Sequence, residues 1–153
     1  MRRIVARRFS PGPRATGLRA SNGLMPQKIL IVEDNPDFSD LLAISLRSEG
    51  YEISLAGNSA QGINKALCDR PDLIITDLYL PDMTAVDAAH ELKRNPATAG
   101  IPIIVLTAMT IGDWKVRALK AGVAEYLIKP ISRPDLLRVV RKLIQSPSLL
   151  TER

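Results

Sequence analysis

Five polar residues stand where short apolar runs stop. Glu33 and Asp34 follow Ile29-Leu30-Ile31-Val32, and Asp77 follows Leu73-Ile74-Ile75-Thr76. Thr107 closes the run from Ile101 to Leu106, and Lys129 follows Glu125-Tyr126-Leu127-Ile128. Carboxylates gathered at one place repel each other and need a cation. An oxygen-only donor set selects a hard ion such as Mg2+, which keeps several waters and takes one or two carboxylates. Lys129 offers a second, fixed positive charge. Such a set suits phosphoryl transfer to a carboxylate, with Asp77 as the nucleophile that forms an acyl phosphate. Thr107 and Lys129 would hold phosphoryl oxygens, and positioning plus charge stabilisation would supply most of the catalysis. The competing reading is structural: Asp34 and Asp77 cap the helices that follow, and Lys129 is a solvated strand end.

The elements that must position these residues are legible as an alternation. Lys28 to Val32 reads as a strand buried on both faces. Pro36 suits the first turn of a helix carrying Phe38, Leu41 and Leu42, and Gly50 is expected at its C′ position. Tyr51 to Ala56 is a second strand, and Asn58 or Ser59 caps a helix reaching Asp69. Leu73 to Thr76 is the third strand, followed by a helix from Thr84 to Arg94. Ile101 to Leu106 is the fourth strand, followed by a helix from Asp113 to Ala121 that stops at Gly122. Glu125 to Ile128 is the fifth strand, and Asp135 to Gln145 the last helix. Strict alternation with short connections predicts an α/β fold: a five-stranded parallel sheet covered on both faces by five helices. Ligands in such sheets sit beyond the carboxyl ends of the strands, at the switch in strand order. That rule puts all five polar residues on one rim.

Composition narrows the alternatives. The chain has 153 residues, 21 Lys and Arg against 16 Asp and Glu, one Cys and one His. One cysteine excludes an internal disulfide framework and a Cys-rich zinc site. A single His90 argues against a His-based metal site, and it reads as a partly exposed helix residue. Cys68 reads as a packed or half-buried thiol, and Trp114 as a packing residue with a partner anchor as the alternative. No run approaches the ~18 apolar residues of a membrane span. The positive charge is local: residues 1–26 hold six Arg and no acid, leaving 15 basic against 16 acidic residues elsewhere. That arm, rich in Ser, Pro and Gly, is expected to be disordered. It reads as a solvated tail or gene-start artefact, a contact for nucleic acid or anionic lipid, or a targeting peptide.

Four motifs then carry a resemblance: LIVEDN at 30–35, DLIITDLYLPDM at 72–83, IIVLTA at 103–108 and AGVAEYLIKPIS at 121–132. Residues 27–146 resemble the receiver domain of two-component response regulators, which implies a doubly wound, five-stranded, flavodoxin-like α/β fold; 1–26 remain a basic disordered arm and 147–153 a frayed C-terminal tail. The resemblance implies that Asp77 is the phosphoacceptor and Asp34 the main acidic metal ligand, with Glu33 beside it. It implies the Tyr79 carbonyl as a further Mg2+ ligand, Thr107 as switch hydroxyl, Tyr126 as switch aromatic and Lys129 as the phosphoryl-binding lysine. On phosphorylation Tyr126 is expected to move inward. The family usually has Asp-Gly or Asn-Gly after the Pro-x-Met step; Thr84-Ala85 stand there instead, which should stiffen the turn.

These roles predict a cytoplasmic, stand-alone regulator and no turnover enzyme. The phosphodonor would be a histidine kinase or histidine phosphotransfer protein, and the output a conformational change read by a downstream protein target. No DNA-binding output domain is expected after the last helix; a weak homodimer is compatible with the rest. A phosphorylation-independent pseudo-receiver is the alternative, and an aspartyl-phosphate hydrolase a third reading. Such hydrolases commonly want a second Asp two residues after the nucleophile, where Tyr79 stands. Tyr79 and Met109 are instead expected to cover the phosphoryl group and prolong its life. Because the arm contributes neither apolar period nor site residue, a chain beginning at Met25 should match the full chain in melting temperature and phosphate uptake. Loss of either would make the arm structural.

Overall fold

The computed structural model describes residues 25–151. Nearly all of the basic arm, with the disorder and contacts expected of it, lies outside the described residues. The elements are β1 (Lys28–Val32), α1 (Pro36–Arg47), β2 (Glu52–Ala56), α2 (Ser59–Asp69) and β3 (Leu73–Thr76). They continue as α3 (Ala85–Arg94), β4 (Ile103–Thr107), α4 (Trp114–Lys120), β5 (Glu125–Ile128) and α5 (Arg133–Thr151). All strand pairs are parallel, in the order β2-β1-β3-β4-β5.

The continuous apolar runs are explained by two-sided burial. Side chains alternate across a strand, so Leu30, Val32, Ile74, Ile103 and Val105 meet α2, α3 and α4 through Ala66, Val86, Ala89 and Ala118. Ile29, Ile31, Leu73, Ile75, Ile104 and Leu106 meet α1 and α5 through Leu42, Leu46, Leu136 and Val140. At the edge, Ile53, Ser54 and Leu55 of β2 are only half-buried. On the α1–α5 side, Arg133 and Arg141 both hold Glu49, at 2.8 and 2.9 Å, and tie α5 to the turn that follows α1.

Helix starts follow their caps. Asn35 accepts from the Phe38 N–H, with Pro36 at the first position. Asn58 accepts from Gln61 N–H and Thr84 from Asp87 N–H. Several boundaries differ from the pattern in the sequence. The α1 cap is Ser48 rather than the residue before Gly50; Gly50 turns the chain further on, with φ 97°. β4 begins at Ile103, because Pro102 has no N–H for the ladder and contributes only its carbonyl, to Ile74 N–H at 3.0 Å. α5 is longer at both ends. Ser132 caps it, accepting from Asp135 N–H, and Pro134 fits the first turn. At its far end the helix runs on to Thr151, past the Gln145 at which the sequence pattern ended it.

α2 crosses β1 at Gly62, where an added Cβ would stand 2.8 Å from Cγ2 of Val32. Helix propensity favours Ala over Gly by about 1 kcal/mol, but overpacking a core costs about 1–3 kcal/mol. Val32 is buried and stiff at χ1. Gly62→Ala should therefore lose about 1 kcal/mol. Gly100→Ala, whose Cβ meets nothing within 4 Å, should stay within about 0.5 kcal/mol. Urea denaturation separates the two; equal stabilities would contradict the packing argument.

Candidate functional site

The switch in strand order lies between β1 and β3. Their register pairs Val32 with Thr76, so the next residues, Glu33 and Asp77, leave the sheet side by side. The Asp77 N–H donates to the Val32 carbonyl at 3.1 Å and fixes that exit. On the other flank Thr107 pairs with Ile128, and the Lys129 N–H donates to the Thr107 carbonyl at 2.8 Å. All five polar strand-end residues thus reach one rim, as the alternation predicted.

Carboxylate oxygens of Glu33, Asp34 and Asp77 lie within 4.8 Å of one another. Glu33 is buried, Asp77 half-buried and Asp34 exposed. Hard oxygen donors this close, open to solvent at Asp34, fit a small hydrated divalent cation such as Mg2+. The Lys129 ammonium lies 3.2 Å from Glu33 Oε1 and 3.6 Å from Asp77 Oδ2. Burial pushes the Glu33 carboxyl above its ordinary value; the Asn35 N–H on Oε2 and the Lys129 ammonium oppose this. Asp77 Oδ1 accepts from the Leu78 N–H at 2.6 Å, leaving Oδ2 toward the lysine. Capping does not account for these acids, because Asn35 caps α1 and Thr84 caps α3.

Thr107 is buried, and its Oγ1 accepts from the Met109 N–H at 3.2 Å. The Tyr126 hydroxyl donates to the Met109 carbonyl at 3.1 Å. Tyr126 is already only 8% exposed, so the expected inward movement has no outward starting point in this structure. A buried tyrosine needs a partner for its hydroxyl, and the Met109 carbonyl provides it. Burial raises the Tyr126 pKa, with Tyr79 and Asp77 adding to the effect.

Tyr79 and Met109 line an open cleft of about 420 Å³ with Asp77, Thr107 and Lys129. Tyr79 is half-exposed and meets Trp114 edge-on, with ring centroids 5.4 Å apart. Arg117 lies over the Trp114 ring at 4.1 Å. Trp114 therefore packs, as expected, but onto the loop of the phosphoacceptor candidate. Cys68 is exposed, not packed; it sits near the end of α2, outside both core clusters.

The loop after Asp77 tolerates the missing glycine. Ala85, in the glycine's place, opens α3 without a positive φ; Thr84 before it has φ −77°. Thr84 bridges Tyr79, and Ala85 N–H donates to the Leu78 carbonyl at 2.7 Å. Asp82 pins the same loop to α2 by accepting from Ser59 and Ala60 N–H at 2.9 and 2.8 Å. Those N–H groups, Ser59 first, hold its carboxyl below the ordinary range. Sequence reasoning missed Asp82, and it missed Phe38, whose ring lies 4.1 Å from the Lys129 ammonium. The one available signal was the aromatic in the first turn after Glu33-Asp34.

The buried Glu33 sets a pH dependence. Its raised value means that folding penalises the charged form; the penalty is absent below about its ordinary value of 4.5 and grows as pH rises through the raised value. Lys129 relieves that penalty. Lys129→Met should lose about 2 kcal/mol at about pH 7 and clearly less at about pH 4. Urea denaturation at both values checks this, and equal losses would contradict it.

Comparison with known proteins agrees with this geometry. The response regulator receiver domain family matches residues 29–141. The chain is 37% identical over 117 residues to the DNA-binding response regulator MtrA of Mycolicibacterium smegmatis, covering 76% of this chain and 50% of that one. It is 36% identical over 118 residues to the DNA-binding dual master transcriptional regulator RpaA of a Synechocystis strain, covering 77% and 49%. It thus spans about half the length of these curated relatives. Among solved structures it resembles the receiver domain of sensor histidine kinase PA1611 from Pseudomonas aeruginosa, crystallised with magnesium coordinated in the active site cleft. That match has TM-score 0.74 and 34% identity, and covers 80% of this chain and 100% of that one. The CheY-like receiver domain protein from Methanospirillum hungatei matches with TM-score 0.74 and 28% identity, covering 78% and 94%. A sheet ordered β2-β1-β3-β4-β5, an acidic trio at its switch point and a family match across the whole sheet have one meaning: the chain belongs to the response regulator receiver domain family.

Proposed function

We propose that Asp77 accepts a phosphoryl group from a phosphohistidine of a sensor kinase or histidine phosphotransfer protein. The observation that carries this reading is the Lys129 ammonium, set between Glu33 and Asp77 beside the acidic trio. An Asp77 carboxylate oxygen attacks phosphorus, the O–P bond forms as the N–P bond breaks, and the imidazole nitrogen keeps the electron pair. Asp34, Asp77 and the Tyr79 carbonyl hold Mg2+, with Glu33 as accessory acid; when bound, the ion neutralises phosphoryl oxygens. The magnesium in the cleft of the PA1611 receiver supports that assignment. Lys129 gives up part of its ion pairing to meet a phosphoryl oxygen. Thr107 turns its hydroxyl from the Met109 N–H toward another.

Release of Met109 N–H by Thr107 frees the segment that Tyr126 grips through the Met109 carbonyl. The switch is then a two-state change of the loop before α4, with Tyr126 following from inside. Exposed Ile111, Val116, Leu119 and Ile128 on the same side support a protein-binding output face. A cytoplasmic regulator that signals through this face is part of the proposal. The acidic trio with its lysine weighs against a phosphorylation-independent pseudo-receiver, and Tyr79 in place of an acid weighs against a turnover hydrolase. No helix among the described residues is long and apolar enough to cross a membrane.

Acetyl phosphate with Mg2+ should add one phosphoryl group, and Asp77→Asn should abolish it. Asp34→Ala should weaken both Mg2+ binding and labelling by about tenfold or more. Mass spectrometry reads the labelling and calorimetry the metal. Unchanged labelling of Asp77→Asn would sink the reading.

A further inference from the structure

We propose that Phe38 is a positioning residue: the face of its ring holds the Lys129 ammonium in place at the rim and thereby sets the rate at which Asp77 takes up a phosphoryl group. The second half of this statement rests on the function proposed above; the first half does not. Three groups surround the ammonium. Glu33 Oε1 is at 3.2 Å, Asp77 Oδ2 at 3.6 Å and the Phe38 ring centroid at 4.1 Å. The ring distance is well inside the ~6 Å range in which a cation is attracted to an aromatic face.

The surroundings make this contact count. The Lys129 side chain is 21% exposed and Glu33 4%, so water competes weakly for the charge. The ring itself is fixed from two sides. It is partly buried against the core cluster of α1, α5 and the sheet. Its backbone is set by the Asn35 cap, whose own N–H is held by Glu33 Oε2 at 3.1 Å. Glu33 therefore orders both the ammonium and the turn that delivers the ring.

The ring also does what a third carboxylate would not. Left to its two acids, the ammonium is drawn toward Glu33, the nearer and more buried one, and away from the acceptor. A π-face attracts the charge without a directional hydrogen bond, so the ammonium can shift toward a phosphoryl oxygen while keeping that attraction. A leucine of similar bulk would keep the packing and lose this hold.

The test changes the ring's charge distribution without changing its shape. The chain has two phenylalanines, Phe9 and Phe38, so in a Phe9→Leu background fluorinated phenylalanines alter Phe38 alone. Phenylalanine, its 4-fluoro, 3,5-difluoro and 3,4,5-trifluoro forms are compared, together with Phe38→Leu and Phe38→Tyr. Two readouts are taken: the initial rate of labelling by acetyl phosphate with Mg2+, and the proton shifts of the Lys129 ε-methylene. The expected result is a graded fall in rate, about threefold to tenfold at the trifluoro form. Phe38→Leu should fall as far, and Phe38→Tyr should keep most of the rate. The ε-methylene should show an upfield ring-current shift that Phe38→Leu abolishes. A flat rate series in folded protein would overturn the proposal, because packing alone does not respond to fluorination. If even the unsubstituted chain takes up no phosphate, the acceptor reading falls instead, and the ε-methylene decides the positioning: a ring-current shift supports it, and an unshifted methylene overturns it.

Discussion

The rim depends on one ammonium among buried and half-buried carboxylates. A charge pair at about 4 Å is worth about 1 kcal/mol in bulk water and about 4 kcal/mol at an effective dielectric near 20. Glu33 is almost wholly shielded and Lys129 mostly so, which places their pair toward the second figure. Glu33 alone would be a liability, since burial disfavours its charged form. Lys129 makes that charge tolerable, and the same shielding keeps the lysine's own charge strong where Asp77 stands. Desolvation is thus the condition that lets a single lysine act on Asp77.

The sheet exists, in functional terms, to deliver these groups to one rim. β1 and β3 are neighbours although α1, β2 and α2 lie between them in sequence. That crossover brings Glu33 and Asp34 beside Asp77. β4 adds Thr107 as the next strand out. β5 lies at the far edge, beyond β4 from the switch that β1 and β3 share, and only a long flexible side chain can bridge back. Lysine at 129 supplies that length, and Phe38 on the opposite side, rising from α1, limits where its tip can go.

The strands and the five rim residues were legible because each is a local signal: a short apolar run with a polar stop. Parallel strands buried on both faces read as unbroken Val, Ile and Leu, so periodicity was not needed to place them. What escaped notice depends on distance in sequence. Asp82 grips the start of α2 across 23 and 22 residues, and no local pattern announces an acid that caps a helix preceding it. Tyr79 meeting Trp114, and Phe38 meeting Lys129, are likewise contacts between elements that only the fold brings together. Tyr126 stands out in the sequence, but its inward position turns on a backbone carbonyl at Met109, which a sequence does not display. The missing glycine of the Thr84-Ala85 step was expected to stiffen the turn; its place is taken by Ala85, the first residue of α3, which needs no positive φ, and Thr84 caps that helix from an ordinary extended backbone.

Two routes lead from Asp77 toward α4, and they differ in kind. One passes through Thr107, which shares the cleft with Asp77, and the Met109 peptide to Tyr126, with both links from Thr107 onward hydrogen bonds to the same short segment. The other passes through Tyr79 to Trp114 and Arg117, every link a ring contact. The hydrogen-bonded route has discrete states, because an N–H or carbonyl either keeps its partner or finds another. The aromatic route is graded, since an edge-to-face pair tolerates sliding and tilting. α4 is only seven residues long, and Asp113 makes no side-chain cap at its start, so the contacts of Trp114 with Tyr79 and Arg117 bear directly on its first turn. On the function proposed above, charge arriving at Asp77 would act on the Met109 segment by the first route and on the start of α4 by the second.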